Sequence, residues 1–197
     1  PPFGWGVLAF VAYAVVRYFL ADIEYVARLE LIRVVIYAAV FFIVVNNLHR
    51  QEMVSLVGFT MLFLAMGIAI YGGYQFFTGD NRVWNFQNTY SQRGTGTYIN
   101  PNHFAGFLEM LLPLGIAYTI VGRMKPTLRI LLGYASIMIA AGIAVSLSRG
   151  GWIATGLSLS LFFLLLLFHR GFRLPAALAL GVILMGAGYF APRSSLI

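Results

Sequence analysis

Seven apolar stretches, separated by short polar or basic segments, follow one another along the chain. Each is close to the length of about 20 helical residues that crosses the hydrocarbon core of a bilayer. Because backbone polar groups in lipid must be satisfied within the segment, we expect helices. The stretches lie at residues 3–20, 29–48, 53–77, 103–122, 130–147, 152–168 and 174–191. The pattern predicts an all-α fold, a polytopic transmembrane helix bundle of about six to seven spans, with residues 1–197 as one transmembrane domain.

One polar segment, residues 22–33, interleaves charged and apolar side chains. Its charged members are Asp22, Glu24, Arg28, Glu30 and Arg33. Such interleaving is typical of a segment that lies at a membrane surface. We expect an interfacial amphipathic turn here, leading into the second span.

Composition agrees with this pattern. Hydrophobic residues make up 60% of the chain and charged residues only 10%, with a mean hydropathy of +0.85. An ordinary soluble domain carries about 25% charged residues, so a lipid bilayer is the expected surrounding of this chain. The absence of cysteine excludes disulfides, thiolate metal sites and a cysteine nucleophile, and no cofactor is predicted.

The net charge of +7 comes from 13 basic residues that are scattered along the chain, mostly at the ends of apolar runs. This distribution is typical of topology signals and headgroup contacts. Nucleic acid is not an expected partner, because no basic stripe with interleaved polar residues occurs. All but one of the basic residues are arginines, whose guanidinium binds phosphate in a two-pronged geometry.

Two short connectors predict the orientation of the bundle. Residues 123–129 hold three basic side chains and residues 169–173 hold two, with no acidic residue in either. Short basic loops face the cytoplasm. Alternation of the spans then places the long connector 78–102, the junction 148–151 and the C-terminal tail on the outer face.

The connector 78–102 is predicted to be an extracytoplasmic loop with a function, because it exceeds the usual connection length. Amide, guanidinium and aromatic side chains of this kind bind sugars and phosphates. The alternative is a solvated loop with an aromatic belt at headgroup level. These side chains belong to Asn81, Arg82, Trp84, Asn85, Gln87, Asn88, Tyr90, Gln92 and Arg93.

The loop ends at the start of the fourth span with Asn100, Pro101, Asn102 and His103. Asn102 is a natural N-cap, and Pro101 favours extended entry into the helix. Glu109 follows on the same helical face, and an ionisable group at that depth marks either a functional site or a buried pair. His103 is either structural or a base. No other ligand lies at metal-binding spacing, so no metal site is predicted.

The junction between the fifth and sixth spans is almost without a loop. Ser146 and Arg149 are three positions apart, which predicts neighbouring positions on a helix, and Gly150 and Gly151 permit a tight turn or the close approach of a ligand. The junction is therefore either a phosphate site or a snorkelling arginine beside the interfacial Trp152.

Two motifs occur in order, separated by one helical hairpin that contains Pro113. They are Arg93-x-x-Gly96-Thr97-Tyr98-Ile99-Asn100-Pro101-Asn102-His103-Phe104-Ala105-Gly106 and Ser148-Arg149-Gly150-Gly151-Trp152. Together they resemble the O-antigen ligase and polymerase family of membrane glycosyltransferases. The resemblance covers about residues 93–193.

Members of that family move a glycan from an undecaprenyl-pyrophosphate carrier to an acceptor hydroxyl on a lipid core, a growing polysaccharide or a protein, at the outer face of the bacterial inner membrane. The resemblance implies that Arg93 and Arg149 engage the donor pyrophosphate as catalytic residues, without a metal. The expected substrate-binding residues are Asn100, Asn102, His103, Glu109 and Ser148.

The family's catalytic histidine belongs to a large outer loop beyond the matching region. The chain is therefore expected to be an internal part of a longer protein, and its general base is not assigned to His103 or His169. Two other classes stay open, a transporter of small anions with Glu109 along its path and a structural membrane subunit without catalysis.

Overall fold

The computed structural model describes residues 3–80, 82–122 and 124–190. Asn81, Arg123 and the predicted outer tail at 191–197 lie outside the described residues. Within them the chain forms seven α-helices, a two-stranded antiparallel ribbon and one short 3₁₀ helix at Arg170–Phe172. The elements are α1 (Gly4–Phe19), α2 (Glu24–Asn47), α3 (Gln51–Thr78), β1 (Arg82–Val83), β2 (Phe86–Gln87), α4 (Pro101–Ile120), α5 (Pro126–Val145), α6 (Arg149–Leu166) and α7 (Arg173–Phe190). The predicted all-α fold is confirmed.

Five helices, α2 to α6, are long and apolar enough to cross a membrane, whereas α1 has 16 residues. A helix of 20 residues, such as α4 or α5, spans roughly 30 Å, the thickness of the hydrocarbon core. Large apolar side chains cover the outside of these helices, and Phe10, Ile36 and Leu164 are each more than half exposed. Exposed apolar surface on this scale needs lipid around it, and the chain is a multi-pass membrane protein.

The predicted interfacial turn at residues 22–33 is wrong. The helix α2 begins at Glu24 and continues without interruption to Asn47. No glycine or proline interrupts this segment, and Glu24 in the first turn is favourable for the helix dipole. Arg33 forms a salt bridge with Glu30, one turn earlier on the exposed surface. The charged side chains therefore lie on the surface of a continuous helix.

The chain divides into two compact units, Pro1–Val57 and Gly58–Ile197. In the first unit, α1 packs against α2. In the second unit, α4 packs on α5 and on α6, and α6 packs on α7. The candidate site residues all belong to the second unit.

The core of the second unit lies between α3, α4 and α5. Close approach of these helices depends on small residues, as is usual in membranes. A Cβ atom at Gly142 would lie 2.7 Å from Leu108 Cδ1 and 2.8 Å from Ala69 Cβ. The buried core residues are Leu62, Ala65, Ala69, Phe104, Leu108, Leu112, Leu132, Ile139 and Ile143. This packing gives the loop between α3 and α4 a packed base.

Candidate functional site

The loop between α3 and α4 starts with the ribbon β1–β2, in which Arg82 pairs with Gln87 and Val83 with Phe86. Trp84 at its tip has a φ of 55°, in the left-handed region. Trp84 and Phe86 are each 73% exposed. The ribbon therefore presents two aromatic faces, of the kind that stack on sugar rings or lie at headgroup level.

Gln75, near the end of α3, holds the loop in place although it is not among the predicted site residues. Its side chain is buried, and its Oε1 accepts hydrogen bonds from the backbone N–H groups of Thr95 (3.1 Å) and Gly96 (2.8 Å). Its Nε2 donates to the carbonyl oxygens of Arg82 (2.9 Å) and Gly96 (3.1 Å). One amide thus fastens both ends of the loop to α3. The sequence feature that could have indicated this role is that Gln75 is the single amide side chain within the apolar run 53–77.

Asn88 has a similar structural role. It is buried, and its Nδ2 donates to Thr95 Oγ1 (3.2 Å) and to the Ile99 carbonyl (2.7 Å). Its Oδ1 accepts from the Tyr90 backbone N–H. Because all of these partners lie in the loop, the buried Asn88 amide stabilises the conformation of the loop.

Two glycines let the loop lie directly on α3. A Cβ atom at Gly94 would lie 2.6 Å from the carbonyl oxygen of Gly72, and the Gly94 N–H donates to the Val145 carbonyl at 2.8 Å. Gly96 has a φ of +57°, and its Cβ would lie 2.7 Å from Ile68 Cγ2. Any side chain at either position would separate the loop from the helix.

Arg93 attaches the loop to the turn between α5 and α6. Its Nε donates to the Ser146 carbonyl at 2.8 Å, and its Nη2 donates to the Leu147 carbonyl at 3.1 Å. Its guanidinium carbon lies 5.8 Å from the centre of the Tyr90 ring. Carbonyls at a helix C-terminus lack helical partners and carry partial negative charge, so a guanidinium there is favourable. Among the described residues, only two N–H groups of the Arg93 guanidinium donate hydrogen bonds, out of the five that this side chain carries.

The turn itself differs from the prediction that Ser146 and Arg149 occupy neighbouring positions on a helix. The helix α5 ends at Val145, Leu147 adopts a φ of 49°, and α6 begins at Arg149. The left-handed Leu147 ends α5 and redirects the chain. Ser146 and Arg149 consequently belong to different elements.

Ser148, an expected substrate-binding residue, is the N-cap of α6. Its Oγ accepts a hydrogen bond from the Gly151 N–H at 3.1 Å, and the residue is buried. Ser146 Oγ accepts from the Ser148 N–H at 3.2 Å, and Trp152 Nε1 donates to the Ile143 carbonyl at 3.1 Å. These bonds fix the backbone that carries Arg149.

Arg149 is exposed at the first position of α6, two residues after the carbonyl that Arg93 binds. Over the part of the chain that the structure describes, Arg149 forms no ion pair. The structure therefore brings the loop arginine onto the turn that precedes the second arginine. Their shared role stays a prediction.

The start of α4 shows one further difference, because its N-cap is Asn100 and not Asn102. Asn100 Oδ1 accepts from the Asn102 N–H at 2.9 Å, and Pro101 occupies the first turn. Proline suits that position since its fixed φ is helical and its missing N–H has no partner there, so the cap must precede it. Asn102 and His103 are exposed on the first turn of α4.

Glu109 lies two turns further along α4 and is half-buried, with its Oε2 atom buried. Among the described residues no hydrogen-bond partner contacts Oε2. The same residues contain no group of three His, Asp or Glu side chains that could hold a metal ion.

We expect cysteines at two exposed positions to report opposite sides of the membrane. An impermeant thiol reagent applied to intact cells should label Asn85→Cys in the ribbon and leave Thr127→Cys in α5 unlabelled, because the connector before α5 is basic. The cysteine-free chain makes each signal specific. Asn88→Cys is the matched control, because Asn88 lies in the same loop and is buried. It should be labelled more slowly than Asn85→Cys. Labelling of Thr127→Cys alone would mean the opposite orientation.

Three arginines lie in the loop and in the turn of the second unit. Arg82 and Arg149 are exposed, Arg93 is half-buried, and Asp80 is the acidic residue of the same loop. Such an arrangement favours an anionic ligand with phosphate chemistry. The chain matches no family model, no curated protein and no solved structure.

Proposed function

We propose that the protein is a membrane glycosyltransferase of the O-antigen ligase type. It moves a glycan from undecaprenyl pyrophosphate to an acceptor hydroxyl on a lipid core, a polysaccharide or a protein, at the outer face of the bacterial inner membrane. The observation that carries the proposal is the attachment of Arg93 to the turn at Ser146 and Leu147, directly before Arg149. Two guanidinium groups of one loop and one turn thus belong to the same end of the bundle.

The reaction explains the use of arginine. Breaking the bond between sugar and pyrophosphate leaves negative charge on the departing pyrophosphate. Fixed hydrogen-bond donors lower the barrier most when they are already in place as that charge develops. Arg93 is held by two carbonyls, so its free N–H groups are oriented before the donor arrives.

Other exposed groups suit the glycan and the acceptor. Asn102 and His103 lie at the start of α4, where the loop enters the membrane. Trp84 and Phe86 present aromatic faces on the ribbon and can stack on sugar rings. These residues are proposed to bind the sugar portion, while the arginines bind the pyrophosphate.

The test is transfer by the intact protein in proteoliposomes that contain an undecaprenyl-pyrophosphate-linked glycan. Membrane lipids, polysaccharide and membrane protein from the source cells serve as acceptors, and mass spectrometry detects the glycan attached to them. We expect glycan on one acceptor class together with release of undecaprenyl pyrophosphate. Flux of chloride or phosphate in the same vesicles, without transfer, would replace this proposal by anion transport. If neither transfer nor ion flux is detected, the result would support a structural membrane subunit without catalysis.

A further inference from the structure

Three buried side-chain oxygens in the described part of the chain have no hydrogen-bond partner: Glu109 Oε2, Thr155 Oγ1 and Ser158 Oγ. Each lies inside a helix that spans the membrane, α4 or α6. An unsatisfied polar group in such surroundings costs free energy, and the cost is larger for a carboxylate. Three such groups on two packed helices call for a common partner.

The packing of α4 on α6 relates the positions of the three groups to one another. The first turns of these helices touch, since a Cβ atom at Gly151 would lie 2.6 Å from Ala105 Cβ. Near the other ends, Ile116 and Ile120 pack against the cluster of Phe163, Leu166 and Ala176, of which the first two belong to α6. The helices therefore run in the same direction, with a constant register along their contact.

In that register Glu109 and Thr155 correspond to each other. Glu109 lies four residues after Ala105, and Thr155 lies four residues after Gly151. Ser158 follows Thr155 by three residues, which places it on the same face of α6. All three oxygens thus belong to one seam, roughly two turns from the end that carries Arg149.

The hydroxyls behave differently from others in the same molecule. Thr119 Oγ1 donates to the Gly115 carbonyl, and Ser136 Oγ donates to the Leu132 carbonyl, each at 2.8 Å. This is the usual way in which a helical hydroxyl is satisfied. Thr155 and Ser158 do not make this bond, so their oxygen lone pairs and hydroxyl protons are left for another group.

Pro113 adds a fourth oxygen. A proline has no N–H, so it cannot donate the helical hydrogen bond to the carbonyl of the residue four positions earlier, which is Glu109. The same residue therefore supplies a carboxylate and a backbone carbonyl without its regular partner. Oxygen-only donors of this kind suit hard cations, and freed helix carbonyls bind alkali cations in other membrane folds.

We propose that Glu109, Thr155 and Ser158, with the Glu109 carbonyl, bind one monovalent alkali cation within the membrane. The charge argues for a monovalent ion: one carboxylate neutralises it, whereas a divalent ion would leave a net charge in lipid. The bound ion ties α4 to α6, and hence the start of α4 to the turn that carries Arg149. This inference is independent of the proposed transfer reaction.

The experiment is thermal unfolding of the intact protein in nanodiscs in sodium, potassium or choline chloride at constant ionic strength. A ligand that binds only the folded protein raises the midpoint, by roughly 5–10 °C at about a hundred times its dissociation constant. We expect sodium or potassium to stabilise the wild type relative to choline. Glu109→Gln and Thr155→Val should remove most of that difference.

The matched control is Thr119→Val, which removes a satisfied hydroxyl from α4. It should lower the midpoint equally in every salt, whereas Thr155→Val should be no less stable than the wild type in choline. If Glu109→Gln does not fold, Thr155→Val and Ser158→Ala decide. The proposal is overturned if the wild type responds equally to all three salts, if the alkali effect survives in the variants, or if stability follows pH alone.

Discussion

Replacing Arg93 or Arg149 with lysine is expected to reduce glycan transfer by about 2–4 kcal/mol of transition-state stabilisation, or roughly 30- to 1,000-fold. Lysine keeps the charge and loses the planar two-pronged geometry. The double variant should be little worse than the more impaired single variant, because groups that act on one pyrophosphate are not additive. The measurement is the rate of transfer from an undecaprenyl-pyrophosphate-linked glycan at matched protein amounts.

The two arginines differ in their expected contribution to the stability of the fold. Arg93 also donates to two backbone carbonyls, so Arg93→Lys should lower the free energy of unfolding by about 1 kcal/mol, whereas Arg149→Lys should leave it unchanged. Arg50→Lys is the matched control, since Arg50 is exposed in the connector before α3 and does not belong to the basic group of the loop and turn. Near-normal transfer by both single variants would contradict a shared pyrophosphate site and leave these arginines as membrane anchors.

Replacing Gln75 with leucine is expected to release the loop from α3. The change keeps the approximate size of the side chain and removes the acceptor of two buried backbone N–H groups, those of Thr95 and Gly96. Each such group left unsatisfied costs about 1–3 kcal/mol, so the loop should lose roughly 2–6 kcal/mol of local stability. Hydrogen exchange of the amides in residues 93–99 measures this loss directly.

Gln87→Leu provides the comparison for Gln75→Leu. Gln87 is exposed on β2, and a surface change there should alter stability by less than about 0.5 kcal/mol. In the proposed reaction, Gln75→Leu should also slow transfer, since Arg93 lies two residues before Thr95. Unchanged exchange at Thr95 and Gly96 would show that the loop is held by other contacts.

The number, type and approximate limits of the helices could be predicted from the sequence because each depends on local information. A span in lipid must satisfy its own backbone hydrogen bonds and present apolar side chains over its whole length, so hydropathy alone marks it. The apolar stretch 53–77 became α3 and the stretch 103–122 became α4. Residues 22–33 hold five charged side chains among apolar ones, and this interleaving suggested a break, whereas α2 continues through the segment from Glu24.

The roles of polar residues depended on partners far away in the sequence. Arg93 binds carbonyls 53 and 54 positions later, and Gln75 binds N–H groups 20 and 21 positions later. No periodicity or spacing encodes such pairs, so Gln75 was missed and Asn88 was grouped with exposed sugar-binding amides. Orientation in the membrane and the transfer reaction stay predictions.

The sequence by itself determined that the chain is a bundle of membrane helices with one polar loop, since burial in lipid is a property of each segment. The tertiary structure alone decided which polar groups form hydrogen bonds that hold that loop and which have no partner within the described residues. The side chains of Asn100, Ser148 and Asn88 form hydrogen bonds with backbone groups. Glu109 Oε2 on α4 has no hydrogen-bond partner among the described residues. The physical reason is that a hydrogen bond requires two groups within about 3.5 Å, and only the packing of helices sets that distance.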